Sequence, residues 1–159
     1  DTVPNYLDKG VYEPKPSKAT ISNAMDVGNP SNFIRIQELF GNDIEALKRT
    51  FSSYSFNDEE TREAMKVIYD ESKYVSDPHG AVGYLGAKEY QKNNAESLSI
   101  FLETAHPVKF PEPVVKAGLE SPQLPPHMTD LFEREERVEV LANDLQTVQQ
   151  YMAGHVHTN

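Results

Sequence analysis

Apolar residues recur through most of this chain at three- and four-residue steps, the spacing of helices rather than of strands. Residues 1–20 are interrupted by Pro4, Pro14 and Pro16 and carry scattered Tyr6, Leu7, Val11 and Tyr12, which predicts a short helix or turn and then an irregular segment. Thr20 to Met25 is brief and lies just before Gly28-Asn29-Pro30, the pattern of a short extended piece ending in a turn. Phe33, Ile36 and Phe40 share a face, with Ser31 as the cap and Gly41 as the stop, and Ile44, Leu47 and Phe51 predict another helix after Asn42 or Asp43. Asn57 and Glu60 have capping-box spacing ahead of a helix that buries Thr61, Met65 and Ile68. Asp77-Pro78 opens the next one, because aspartate caps and proline loses nothing at the first turn. Along it, Gly80, Gly83 and Gly86 permit close packing beside Val82, Leu85 and Tyr90.

Leu98 to Leu102, a short apolar run after a polar loop, is the best candidate strand. Pro107, Pro111 and Pro113 then break the approach to a short helix near residues 114–117. Val138, Leu141, Leu145, Val148 and Met152 predict a last helix with one apolar stripe, whose simplest role is core packing. The pattern is therefore predominantly helical with one or two short strands. A lone strand leaves backbone N–H and C=O groups without partners, so Leu98–Leu102 is expected to pair with chain not visible in this sequence.

Composition narrows the function. The net charge is −10, which repels phosphates and argues against nucleic acid as a partner. No run approaches the roughly 18 apolar residues of a membrane span, and no secretory signal opens the chain. The absence of cysteine excludes disulfides and thiolate metal sites, and fits a cytoplasmic protein. His155 and His157 are two apart, and His79, His106 and His127 lack ligand spacing, so no metal site is expected. The chain opens on Asp1 rather than methionine, which we read as a piece of a longer protein.

Three clusters carry chemistry. Glu103-Thr104-Ala105-His106-Pro107-Val108-Lys109-Phe110 follows the candidate strand and places a hydroxyl, an imidazole and an ammonium where ligands sit in open α/β sheets. Asp77-Pro78-His79-Gly80 sets His79 at a helix N-terminus, where free N–H groups favour an anion or a polar ring substituent. Asn23-Ala24-Met25-Asp26-Val27-Gly28-Asn29-Pro30 is a loop whose glycine allows close backbone approach. Taken singly, each is better read as an ordinary turn or cap. The alternative to an enzyme is a free-standing acidic helical interaction module that uses all three as caps and turns.

Together, and in this order, they resemble threonine synthase. The matching segments are Asp1-Thr2-Val3-Pro4, Ala19 to Phe33, Asp77 to Tyr84 and Thr104 to Phe110, with a less specific likeness from Leu124 to His155. The resemblance implies α/β by origin: the tryptophan-synthase-β-like fold type II, of which residues 1–159 would be the C-terminal part, ending in a helical tail around 124–155. It also implies pyridoxal phosphate as the parent's cofactor, and conversion of O-phospho-L-homoserine and water to L-threonine and phosphate.

By the same resemblance, Thr104 binds the cofactor at its pyridine nitrogen, and Asp26, Gly28, Asn29, Asp77, His79, His106 and Lys109 line the site. The family's Schiff-base lysine lies in a Phe-Lys-Asp motif upstream, and no such tripeptide occurs here. The cofactor-phosphate loop and the substrate-phosphate segment are expected upstream too. This chain alone is accordingly expected to hold no catalytic residue, to bind no cofactor and to be inactive. Separated from an N-terminal half, it would expose apolar surface and self-associate.

Overall fold

The computed structural model describes residues 1–155, without the side chain of Phe132. It contains α1 (Thr2–Lys9), α2 (Phe33–Leu39), α3 (Ile44–Lys48), α4 (Asp58–Ser72), α5 (Pro78–Gln91), α6 (Pro111–Lys116) and α7 (Leu145–His155), with short 3-10 turns between α5 and α7. The chain divides into a unit spanning Asp1–Gln123 and a second that begins at Leu124.

The first unit has two apolar clusters. In one, Tyr6 of α1, Phe33 of α2 and Leu47 of α3 are buried together, with Tyr12 and Phe51 against them. Tyr6 meets Phe33 edge-on at 5.5 Å between ring centroids, while Tyr12 stacks on Phe33 at 5.6 Å. Such pairs add about 0.5–1.5 kcal/mol beyond their area. α1 stops at Gly10, whose φ of 77° gives the left-handed turn that returns its N–H to the Tyr6 carbonyl at 2.9 Å.

The second cluster holds the elements around α5. Thr61, Ala64, Met65 and Ile68 form one buried face of α4. The apolar members pack with Ala81 of α5 and with Val114 and Ala117 at α6. The capping box expected at Asn57 is present: its side chain accepts from the N–H groups of Glu59 and Glu60, and Glu60 Oε2 accepts from the Asn57 N–H at 2.7 Å. Three acidic residues in the first turn complement the positive end of the helix.

Three expectations need correction. First, no strand occurs among the described residues. Leu98–Leu102 is nevertheless extended, with alternating faces. Leu98, Ile100 and Leu102 are 91%, 83% and 74% exposed, whereas Ser97, Ser99, Phe101 and Glu103 face inward. A strand is defined by ladder bonds, and none is made to this run among the described residues. Second, Thr20–Met25 is a turn rather than an extended piece; Asp26 closes it by accepting from the Thr20 hydroxyl at 2.7 Å and the Thr20 N–H at 3.3 Å. Third, the last helix begins only at Leu145, so Val138 and Leu141 lie before it, and α7 buries no residue. Asp144 starts it, accepting from the Thr147 N–H at 2.9 Å.

Two substitutions separate capping from packing. Asn57→Ala should lower the stability of the chain by about 1 kcal/mol. Met65→Ala, at a fully buried position, should lower it by about 2–5 kcal/mol. Urea denaturation with an unchanged slope in both variants is the check.

Candidate functional site

The start of α5 is unusual in being buried at its cap. Ser76 and Asp77 are both 0% exposed. Asp77 is extended (φ −75°, ψ 162°), and its Oδ1 accepts the backbone N–H of His79 at 2.8 Å, which is the N-cap bond. The same oxygen lies 2.7 Å from His79 Nδ1. A carboxylate can only accept, so Nδ1 carries the proton. Nε2 is then free to accept, and it takes the N–H of Ala24 at 3.3 Å. Ser22 donates its hydroxyl to the Pro78 carbonyl at 3.5 Å. From the other side the buried ring of Phe110 packs on the imidazole, 5.0 Å between centroids.

His79 thus touches both of the other clusters. The three loops converge on one side chain.

The remaining proposed site residues are placed less centrally. Asp26 is engaged by Thr20, and Asn29 Oδ1 accepts from the Tyr12 hydroxyl at 3.1 Å. Gly28 takes the Thr2 hydroxyl and the Lys15 N–H on its carbonyl, and a Cβ there would collide with the Lys15 backbone. Its close approach is to its own chain. His106 caps a 3-10 turn, its Nδ1 accepting the Val108 N–H at 3.2 Å, and Lys109 is exposed. Thr104 is exposed on the outward face of the extended run. A cavity of about 900 Å³ is lined by Lys15, Thr20, Ser22, Asp26, Gly28 and Asn57, but not by His79 or Thr104.

Glu103 and Ser76 belong to the site and were given no role from the sequence. The Ser76 hydroxyl donates to Glu103 Oε1 at 2.6 Å. Gly80 makes the approach possible, since a Cβ there would overlap the Glu103 carboxyl. Burial, and next a hydrogen bond with Asp77, push the Glu103 carboxyl up to about 7. Burial also opposes charge on Asp77, but hydrogen bonds from Glu103 and His79 outweigh it and hold that carboxyl below its ordinary value. Tyr74 is raised, first by burial and then by the charges of Glu103 and Asp77. No group of three or more His, Asp or Glu among the described residues could hold a metal ion.

Comparison with known proteins decides the family. The family model described as threonine synthase, C-terminal, matches residues 80–152. The threonine synthase of Pseudomonas aeruginosa is 33% identical over 98% of this chain and 38% of its own length. That of Escherichia coli is 41% identical over 82% of this chain and 29% of its own. The crystal structure of the Escherichia coli threonine synthase superposes with a TM-score of 0.75 at 35% identity, covering 98% of this chain and 35% of that one. The Brucella melitensis threonine synthase, solved with pyridoxal phosphate bound, gives 0.67 at 30% identity, covering 98% and 38%.

The chain belongs to the threonine synthase family. It matches the C-terminal part of threonine synthases and spans about a third of the length of these relatives. The helical architecture is that of their C-terminal region.

Within this threonine synthase region, the inward register of Ser97, Ser99, Phe101 and Glu103 was the signal that could have found Glu103. A glycine three residues after the cap aspartate was the signal that something fills the space. Gly80→Ala should destabilise the fold by about 1–3 kcal/mol through overpacking. Gly154→Ala, in open space on α7, should be neutral or stabilise by up to about 1 kcal/mol. Thermal or urea unfolding distinguishes the two.

The pH dependence follows from Glu103. Its folded-state value lies above the ordinary 4.5, so its contribution to stability is complete below that value and declines as pH rises to about 7. Asp77 has the opposite sign, supporting the fold above its ordinary 3.8 and losing that support as pH falls through its lowered value. Denaturation midpoints should therefore fall between about pH 5 and about pH 8, and Glu103→Gln should flatten that slope. An equal slope in the variant would remove Glu103 as its origin.

Proposed function

We propose that this chain is the C-terminal part of a pyridoxal-phosphate-dependent threonine synthase of fold type II, which converts O-phospho-L-homoserine and water into L-threonine and phosphate. The observation that carries the reading is the meeting of three separate loops at His79, in a chain alignable with threonine synthases over 98% of its length. The cofactor, when bound, supplies the electron sink for the chemistry on the substrate's carbon atoms.

The residues of this chain fit such a group. Thr104 is exposed at the end of an extended run whose outward neighbours, Leu98, Ile100 and Leu102, are apolar and uncovered. A hydroxyl on an otherwise apolar face suits the nitrogen of an aromatic ring. Because it is neutral, Thr104 does not hold that nitrogen protonated as a carboxylate would. Asp26, Gly28, Asn29, Asp77, His79, His106 and Lys109 line the site. His79, bonded on both nitrogens, orients loops and moves no proton. The Leu98–Leu102 run is a strand of the parent sheet, paired with strands outside this chain.

The lysine that carries the cofactor also lies outside it, since no lysine here stands between phenylalanine and aspartate. No helix among the described residues is long and apolar enough to cross a membrane, and we place the enzyme in the cytoplasm.

Phosphate release from O-phospho-L-homoserine tests the proposal. The enzyme containing this chain should release phosphate and form threonine with pyridoxal phosphate. Thr104→Val should lower its kcat/KM by at least about tenfold, the loss of one charge-stabilising contact. Thr104→Ser should retain most activity, and the 159-residue chain alone should release none. Turnover by the chain alone, or full activity in Thr104→Val, would refute the corresponding assignment.

A further inference from the structure

The two carboxyl groups at the start of α5 leave a problem of hydrogen bonding. Asp77 Oδ1 takes two hydrogen bonds from His79, and Glu103 Oε1 takes one from Ser76. The other oxygen of each, Asp77 Oδ2 and Glu103 Oε2, is buried with no partner. Ser76, the residue before Asp77, draws the Glu103 carboxyl to the cap of α5, where it fills the space over Gly80. Two buried acceptors facing each other repel if both groups are ionised, and each would carry the full penalty of an unsatisfied polar atom. One proton between them removes both penalties.

The surroundings decide where that proton rests. Asp77 takes two hydrogen bonds from His79 and sits at the positive end of a 14-residue helix, which favours its charged form. Glu103 has only the Ser76 hydroxyl, whose single proton also has the Asp77 carbonyl as an acceptor at 2.8 Å. Glu103 is therefore the acid, and its O–H donates from Oε2 to Asp77 Oδ2.

We propose that Asp77 and Glu103 hold one proton between them and act as positioning residues for Thr104, in a clamp closed by Ser76 and permitted by Gly80. The inference rests on the reading of Thr104 as the residue that meets the cofactor nitrogen. Thr104 is bonded directly to Glu103 and is itself exposed. Its backbone position is set by the inward residues before it. Phe101 supplies an apolar contact, edge-on to Tyr84 at 5.8 Å and against Gly83, and Glu103 supplies the polar one. Loss of the shared proton sets two carboxylates against each other one residue from the Thr104 hydroxyl. The titratable groups acting on Glu103 are Asp77, at the cap of α5 and itself bonded to His79, and Tyr74 from the segment before it.

The test is a carbon and amide NMR titration of the whole enzyme containing this chain, without cofactor, so it reads the clamp whether or not Thr104 meets the pyridine nitrogen. That separate question is answered by the kinetics of Thr104→Val. The Glu103 carboxyl carbon should titrate near 7, and at lower pH in Asp77→Asn, where burial alone keeps it above the ordinary value. The Thr104 amide should move with the same midpoint in the unmodified chain. In Glu103→Gln, which keeps a donor toward Asp77 and an acceptor for Ser76, it should hold its low-pH position throughout. In Glu103→Ala it should be displaced at every pH. Titration of Glu103 together with the exposed glutamates would overturn the shared proton. A Thr104 amide that ignores the Glu103 titration, or is displaced equally in Glu103→Gln and Glu103→Ala, would overturn the positioning role.

Discussion

The Asp77 carboxylate is the contact on which the rest of this chain's organisation depends. It is wholly buried, yet it does three things at once. It caps α5, it fixes the proton of His79 on Nδ1, and it faces Glu103. Burying a charge is expensive unless it is paired and hydrogen-bonded, and here the helix end and the imidazole meet that condition. Through His79 the 22–24 loop and Phe110 are held in place, and through Glu103 the extended run is held against α5. Removing the carboxylate would release three loops, not one bond.

Much of this was legible in the sequence because local chemistry and tertiary position agree. Asn57 with Glu60, and Asp77 with Pro78, are capping signals whose partners lie within three residues, so the folded chain only had to leave them in place. The buried face of α4 followed from periodicity. Val138 and Leu141 misled because four-residue steps in a short window do not distinguish a helix from irregular chain, while Asn143-Asp144 just downstream marked the true start. Leu98–Leu102 had the right composition and length for a strand, but a ladder needs a neighbour, which no pattern within the segment can supply.

The site divides along the same line. His79 and Asp77 could be singled out because a histidine two residues after a capping aspartate is a recognisable local arrangement. The pairing of Ser76 with Glu103 could not, because 27 residues separate them and it exists only in three dimensions. Thr104, His106 and Lys109 stood out by chemical type, yet in this chain they are exposed and make few contacts. That division suits a region spanning about a third of its relatives: the scaffold that orients the loops lies within the chain, and the groups that would meet the ligand point out of it.

The most direct test of this account is the protonation pattern of the His79 ring, read from nitrogen-15 shifts at alkaline pH. The Asp77 and Ala24 contacts require a neutral imidazole with its proton on Nδ1 and a bare Nε2. That form, unlike the Nε2–H form preferred by a free histidine, should dominate in the unmodified chain and be lost in Asp77→Ala. A ring carrying its proton on Nε2, or one unaffected by the loss of Asp77, would contradict the convergence of the three loops at this residue.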